Sequence, residues 1–291
     1  MRNSVAFLVS VIATLSALGL AVLVDDGAYS IAGLPLLVAL ALVGFAVQWL
    51  VFVPSFLRQT EHYYDLTGAA TYASVILLAA GLSSPDARGW VIVALVLLWC
   101  GRLGSFLFLR VKRSGKDGRF DDLKPYWARF FMAWTLQGLW VFLTLLAALV
   151  AVTSPGYASW DLWATLGLAI WAGGFAIEAV ADRQKTAFKA DPANDGRFIQ
   201  HGLWAWSRHP NYFGEIVLWT GIAIMAVPAM AGWQWLGWLS PLFVCWLLLK
   251  VSGIPMLEQR ADEKWGGQDD YEAYKAATPA LVPWPPRRSA R

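Results

Sequence analysis

The residues best equipped for chemistry fall in two places. The denser is the stretch GLWAWSRHPNYFGE at 202–215. Pro210 suits the first residue of a helix, where its missing N–H costs nothing. Asn211 and Glu215 then stand four apart, on one face at the mouth of that helix. Arg208 and His209 lie just before it, where the free N–H groups of a helix start favour anions. This group suits a charged ligand, and a cofactor phosphate fits. Arg, His, Trp and Tyr also anchor helices at bilayer interfaces, and spacing alone leaves both readings open. The second place is the run Glu61, His62, Tyr63, Tyr64 and Asp65. Glu61 and Asp65 are one helical turn apart and can share a face. A carboxyl kept neutral by burial beside the Tyr64 hydroxyl is a proton donor suited to a carbonyl oxygen. An interfacial belt of exposed carboxylates is the alternative.

Further polar groups surround these two. Glu178 and Asp182 are four apart, and Lys185 and Lys189 continue their face. They form either a solvated, salt-bridged helix extension or a basic wall for phosphates with Asp182 orienting a cation. Arg102 sits halfway along an apolar run, as an interhelical partner or a functional group. The histidines, His62, His201 and His209, lack metal-ligand spacing, so no metal site is expected. Cys100 and Cys245 fall inside apolar runs and read as buried thiols. There is no GxGxxG after a strand, no Walker A sequence, no HExxH and no GxSxG. Any cofactor must therefore be held by membrane helices and their loops.

The elements that position these residues are membrane spans. The chain is 58% hydrophobic and 15% charged, with 18 Trp and a mean hydropathy of +0.50, far from a soluble domain. Apolar runs near the span length of ~20 residues occur at 5–24, 31–53, 66–82, 90–109, 130–152, 162–181, 212–231 and 233–251. Arg58, then Arg110, Lys112, Arg113, Lys116, Arg119, Lys124 and Arg129 mark one side of the membrane. Arg183, Lys185, Lys189, Arg197 and Arg208 mark it again, as do Arg260, Lys264, Lys275, Arg287, Arg288 and Arg291 in the tail. The opposite loops carry Asp25, Asp26, Asp86 and Asp161, with Arg88 as their basic residue. The positive-inside rule then gives an all-α polytopic bundle of about eight spans with both termini cytoplasmic. Its net charge of +3 is a matter of topology, and no nucleic-acid partner is expected. The whole of 1–291 reads as one integral membrane domain in the inner (cytoplasmic) membrane, its polar tail from Glu258 to Pro286 packed on the cytoplasmic face.

The central stretch GLWAWSRHPNYFGE resembles the C-terminal signature of the steroid 5-alpha-reductase family. It is most similar to the family's large bacterial branch, long catalogued as a domain of unknown function. ADRQKTAFKADPANDGRFIQHGLW (181–204), GIPMLEQRADEKW and YEAYKAATPALVPWPP fit the same pattern, as do YDLTGA and GRLGSFLFLR nearer the start. The likeness covers 61–286, whereas 1–60 holds spans without a recognised motif. It implies a seven-helix-type membrane fold, here with one helix more. It also implies NADPH-dependent reduction of a carbon–carbon double bond conjugated to a carbonyl, in a lipid-like or steroid-like substrate entering from the bilayer.

By the same resemblance, Asn211, Tyr212 and Glu215 line the cofactor site, with Asp182, Lys185, Arg197, Ser207, Arg208 and His209 before them. Lys250, Glu258, Arg260, Tyr271 and Tyr274 come from the closing segment. Asp65 is the positional match to the carboxylate that engages the substrate carbonyl, and Glu61 is the next. The steroid enzymes pair that carboxylate with a tyrosine on the following helix. Arg102, Phe106 and Phe108 stand in that region here, so Tyr64 or Tyr72 would have to substitute. The alternative is a membrane methyltransferase of the isoprenylcysteine or phospholipid type. Those enzymes share an RHP-x-Y-x-G core and bind S-adenosylmethionine. Asn211, Glu215, the Trp-rich lead-in and the WPP ending favour the reductase. A non-catalytic lipid-binding protein is the third reading.

Overall fold

Among the described residues, 8 helices are long and apolar enough to cross a membrane. The computed structural model describes residues 2–114, 117–155 and 160–285. Lys116, Arg287, Arg288 and Arg291 of the charge pattern, and Pro286 of the tail, lie outside them. In chain order come α1 (Asn3–Val24), α2 (Leu36–Leu57), α3 (Tyr64–Ser83), α4 (Ala87–Ser114), α5 (Trp127–Thr153) and α6 (Leu162–Ala190). Then follow α7 (Pro210–Ala226), α8 (Leu239–Trp246), α9 (Ile254–Trp265) and α10 (Asp269–Ala277). The expected α-helical polytopic bundle is what the chain forms, as a multi-pass integral membrane protein. An antiparallel pair of two-residue strands, β1 (Ser30–Ile31) and β2 (Leu34–Pro35), turns α1 into α2. The apolar runs foretold the spans but not their polar extensions. The helix α6 continues to Ala190, and the run at 233–251 divides into a 3-10 segment (Gly232–Trp238), α8 and a π-turn (Leu247–Val251).

The chain folds as two compact units, Met1–Ala164 with Met225–Ser240, and Thr165–Ile224 with Pro241–Arg291. In the first unit α5 is the axis. It is touched by α1, α2, α3 and α4, and Leu145, Leu146, Leu149 and Val150 on it are fully buried. Hydroxyls in lipid have no water to bond. Ser10, Thr67, Thr71, Ser83, Thr135 and Thr153 each donate to the carbonyl four residues back. At the far end of this unit, Arg88 pairs with Asp161 at 2.9 Å and Gln234 donates to Ser154 at 2.8 Å, tying the loops together.

The second unit is built on an unusually close pair of helices. A Cβ placed on Gly214 of α7 would lie 2.6 Å from both the Glu178 nitrogen and the Gly174 oxygen of α6. One on Gly221 would meet the Gly167 oxygen and the Trp171 nitrogen, also at 2.6 Å. Lipid tails give no hydrophobic drive for helix pairing, so small residues that let backbones touch supply the attraction. Beyond the apolar run, Gly202 adopts a left-handed φ of 61°, and the Leu203 N–H there donates to Gln184 Oε1 at 3.0 Å. A side chain at 202 would strike the Gln184 amide, so the first Gly of the GLWAW motif is a turn residue.

Candidate functional site

The polar end of the second unit holds a cavity of about 820 Å³. One wall is the end of α6, which brings Lys185, Phe188 and Lys189; the turn after it adds Asp191, Asn194, Asp195, Arg197 and Phe198. The other wall is α9 and α10, with Glu258, Arg260, Lys264, Trp265, Tyr271 and Tyr274. Lys185 and Lys189, like Arg260 and Lys264, are four apart, so each helix directs two cations to one face. Several cations lie over rings. The Lys185 ammonium is 4.5 Å from the Trp204 ring centre and that of Lys264 is 4.8 Å from Trp265. Phe198 packs with its centroid 5.3 Å from Tyr271 and 5.4 Å from Tyr274. Burial pushes the Tyr274 hydroxyl well above the ordinary phenol range, and it donates to the Trp204 carbonyl at 2.7 Å. The walls thus combine cations on both sides with a run of flat apolar surfaces.

Arg208 has a different task. Its guanidinium bonds Glu258 through Nε at 3.1 Å and through Nη2 at 3.0 Å. Its Nη1 donates to the carbonyls of Lys275 and Thr278, at 2.8 and 2.7 Å. Its backbone N–H donates to the Pro279 carbonyl at 2.9 Å. The side chain is therefore committed to holding α9, α10 and the strand after them. Ser207 does similar work, donating to the Leu281 carbonyl at 2.7 Å. His209 lies beside Glu258 with Nε2 2.7 Å from Oε1. Burial pushes its imidazole below the ordinary histidine range, against the pull of the Glu258 carboxylate. A neutral ring donating from Nε2 leaves Nδ1 as an acceptor, and Nδ1 is buried without a hydrogen-bond partner among the described residues. The Tyr212 ring stacks on His209 at 5.6 Å.

Glu61, Tyr64 and Asp65 belong to the first unit, and here two expectations are corrected. Helix α3 begins at Tyr64, so Glu61 precedes it and shares no helical face with Asp65. Nor is Glu61 held neutral. Burial raises its pKa, but the Lys124 ammonium at 2.6 Å and the Asp117 N–H at 2.7 Å outweigh that and bring it below the ordinary carboxylate range. Asp65 lies 3.8 Å from Arg119. Tyr64 donates its hydroxyl to the Ala133 carbonyl at 3.0 Å and packs between Phe120 and Trp134. The cluster fastens the 117–126 loop to the start of α3. A depressed folded-state pKa contributes stability above the unfolded value, and that stability is lost as pH falls through the folded one. The thermal midpoint of the wild type should thus fall more steeply than that of Glu61→Gln between about pH 5 and 3. Parallel midpoint curves would remove this ion pair from the stability of the loop.

A sequence family described as a protein of unknown function (DUF1295) matches residues 51–278. The chain belongs to that family. It is also 23% identical over 212 residues to Uncharacterized protein C594.04c of Schizosaccharomyces pombe, and the match covers 62% of each chain. The chain thus spans about 62% of the length of the curated relative it matches. No solved structure matches it.

Within the DUF1295 region the structure gathers only part of the expected site. Lys185, Arg197, Arg208, His209, Glu258, Arg260, Tyr271 and Tyr274 line the cavity, whereas Asp182, Ser207, Asn211, Tyr212, Glu215 and Lys250 do not. Asp182 is buried in α6 at 7% exposure, which sets aside the solvated-extension reading. Glu215 and Asn211 are half-buried in the first turns of α7, and Lys250 is exposed on the π-turn. The cavity adds Phe188, Phe198, Trp204, Lys264 and Trp265. The spacing of Arg260 and Lys264 was the available signal for the α9 wall; the rings carried none.

Proposed function

We propose that the chain is an NADPH-dependent reductase acting on an enone-type, lipid-like substrate in the inner (cytoplasmic) membrane. The support comes from the resemblance to the steroid 5-alpha-reductase family together with one observation, the donor set of the cavity. Lys185, Lys189, Arg197, Arg260 and Lys264 suit several phosphates, including one on a ribose. The faces of Phe198 and Trp265 suit an adenine, and the bare Nδ1 of His209 accepts a hydrogen bond. The residues fit the group. S-adenosylmethionine carries a cationic sulfonium and no phosphate, so a wall this basic disfavours the methyltransferase alternative.

When bound, NADPH supplies a hydride. In the net reaction the beta carbon of the double bond gains that hydride and the alpha carbon gains a proton, leaving NADP+. The chain's own part is to bind, orient and exclude water. The cations of α6 and α9 hold phosphate oxygens, and the Arg208–Glu258 pair keeps the α9–α10 wall in place. By the resemblance, Asp65 engages the substrate carbonyl.

The test is thermal stabilisation of detergent-purified protein by NADPH, NADH and S-adenosylmethionine side by side. A ligand at a hundredfold excess over its Kd stabilises by about 2.7 kcal/mol. NADPH is expected to raise the midpoint and S-adenosylmethionine to leave it unchanged. Arg197→Ala and Arg260→Ala should each weaken NADPH about tenfold, since a charge-assisted bond contributes roughly 1.5–3 kcal/mol. Asp65→Asn should retain the NADPH response and lose turnover of enone lipids. Stabilisation by S-adenosylmethionine alone would overturn the reading.

A further inference from the structure

The first unit carries unspent hydrogen-bonding groups deep in its membrane helices. Gln48 of α2 and Thr71 of α3 are both fully buried. The Thr71 hydroxyl donates to the Thr67 carbonyl at 2.7 Å, so it must accept from Gln48 Nε2, 2.9 Å away. This fixes the orientation of the Gln48 amide and leaves its Oε1 as an acceptor, buried and without a hydrogen-bond partner among the described residues. On α5, Gln137 Oε1 is buried in the same unsatisfied state. Its amide rests over Gly68 of α3, where an added Cβ would lie 2.8 Å from Nε2. Its neighbour Gly138 faces Gln48, 3.5 Å from the Gln48 Cγ by the same measure. Trp134, one turn earlier on α5, is fully buried, and its indole N–H also has no partner.

These groups lie at one depth. At 1.5 Å per residue, Gln48 is about 14 Å from the end of α2, Thr71 about 10 Å from the start of α3 and Gln137 about 15 Å from the start of α5. Those three helix ends share one side, because Glu61 between α2 and α3 binds Lys124 and Asp117 of the loop before α5. The cluster is thus well inside a hydrocarbon layer of about 30 Å. A polar group there is expensive unless it is bonded, and polar ties between membrane helices ordinarily close on each other. Here two acceptors and one donor stay open. A ketone oxygen can only accept and would leave both amide oxygens bare. A hydroxyl donates once and accepts through two lone pairs.

We propose that Gln48, Gln137 and Trp134 form a binding site inside the first unit for the hydroxyl group of an otherwise apolar ligand, a lipid alcohol. The Gln48 and Gln137 oxygens receive its proton and the Trp134 N–H bonds its oxygen. This site is independent of the reductase reading and of the cavity in the second unit.

The experiment compares wild type with Gln137→Leu and Gln137→Met in detergent, first without additive. If the amide is reserved for a ligand, removing an unsatisfied buried group raises the midpoint of the ligand-free protein by about 2–4 °C. If both variants melt lower than wild type, the amide is a tie within the protein and the proposal falls. The second arm adds farnesol or 1-dodecanol, each beside its hydrocarbon counterpart, farnesene or dodecane. The alcohols should stabilise wild type more than the hydrocarbons do, and the difference should vanish in Gln137→Leu. Equal effects of alcohol and hydrocarbon on wild type would assign the open groups to water and overturn the proposal.

Discussion

Gly214→Val is expected to abolish recovery of folded protein, or to lower its thermal midpoint by more than any other single change at 202–215. The new Cβ would lie 2.6 Å from backbone atoms of Glu178 and Gly174 on α6. Backbone in a packed helix cannot swing aside as a flexible side chain can, so the helices must separate. Gly174 makes the reverse contact, 2.5 Å to the Leu218 nitrogen, and separation at one glycine therefore loosens the other. Overpacking of this kind costs about 3 kcal/mol or more. The control lies one residue away. A Cβ on Gly173 meets nothing within 4 Å, so Gly173→Ala should be neutral or stabilise α6 by roughly 0.5–1 kcal/mol. Equal midpoints for Gly214→Val and Gly173→Ala in detergent would refute the close-contact account.

The second large effect is expected at Arg208. Arg208→Ala strands a mostly buried Glu258 carboxylate and leaves the Lys275 and Thr278 carbonyls without their donor. Breaking a buried ion pair from one side costs about 3–5 kcal/mol, and the loss falls on one segment. We expect limited proteolysis to cut 266–285 faster, with the helices of the first unit unaffected. Arg208→Lys should not rescue the pattern, because an ammonium cannot span the carboxylate and two carbonyls together. Arg197→Ala is the contrast: its side chain lies on the exposed turn, so the protease pattern should stay that of wild type. If Arg208→Ala is cut no faster than wild type, the clamp is incidental.

Legibility from the sequence followed the physics of each feature. The spans were legible because ~20 apolar residues have one stable use in a chain of this composition. The cations of α6 were legible because i,i+4 spacing fixes a helical face. The roles within RHPNYFGE were not. Read as a ligand-binding row, the motif proves to divide its labour. Arg208 and Ser207 hold the C-terminal segment, Gly214 makes the helix contact, and His209 alone combines a cavity wall with an open acceptor. Spacing along a chain does not say which residue fifty or seventy positions later will take up a side chain's hydrogen bonds. Glu61 failed as a helical partner of Asp65 for the same reason: Lys124 and Asp117 claim it from the next loop.

The order in which the cavity walls are synthesised follows from this arrangement. Lys185, Lys189 and Arg197 leave the ribosome with the end of α6, while Arg260, Lys264, Tyr271 and Tyr274 emerge only after the last membrane span. Until Glu258 arrives, Arg208 has no counter-charge, and until Pro279 arrives its backbone N–H is open. A nascent chain halted between α8 and α10 would thus have nearly all its membrane helices and only half of its cavity. Translation of the closing segment is therefore the step at which an inserted protein becomes able to hold a ligand there.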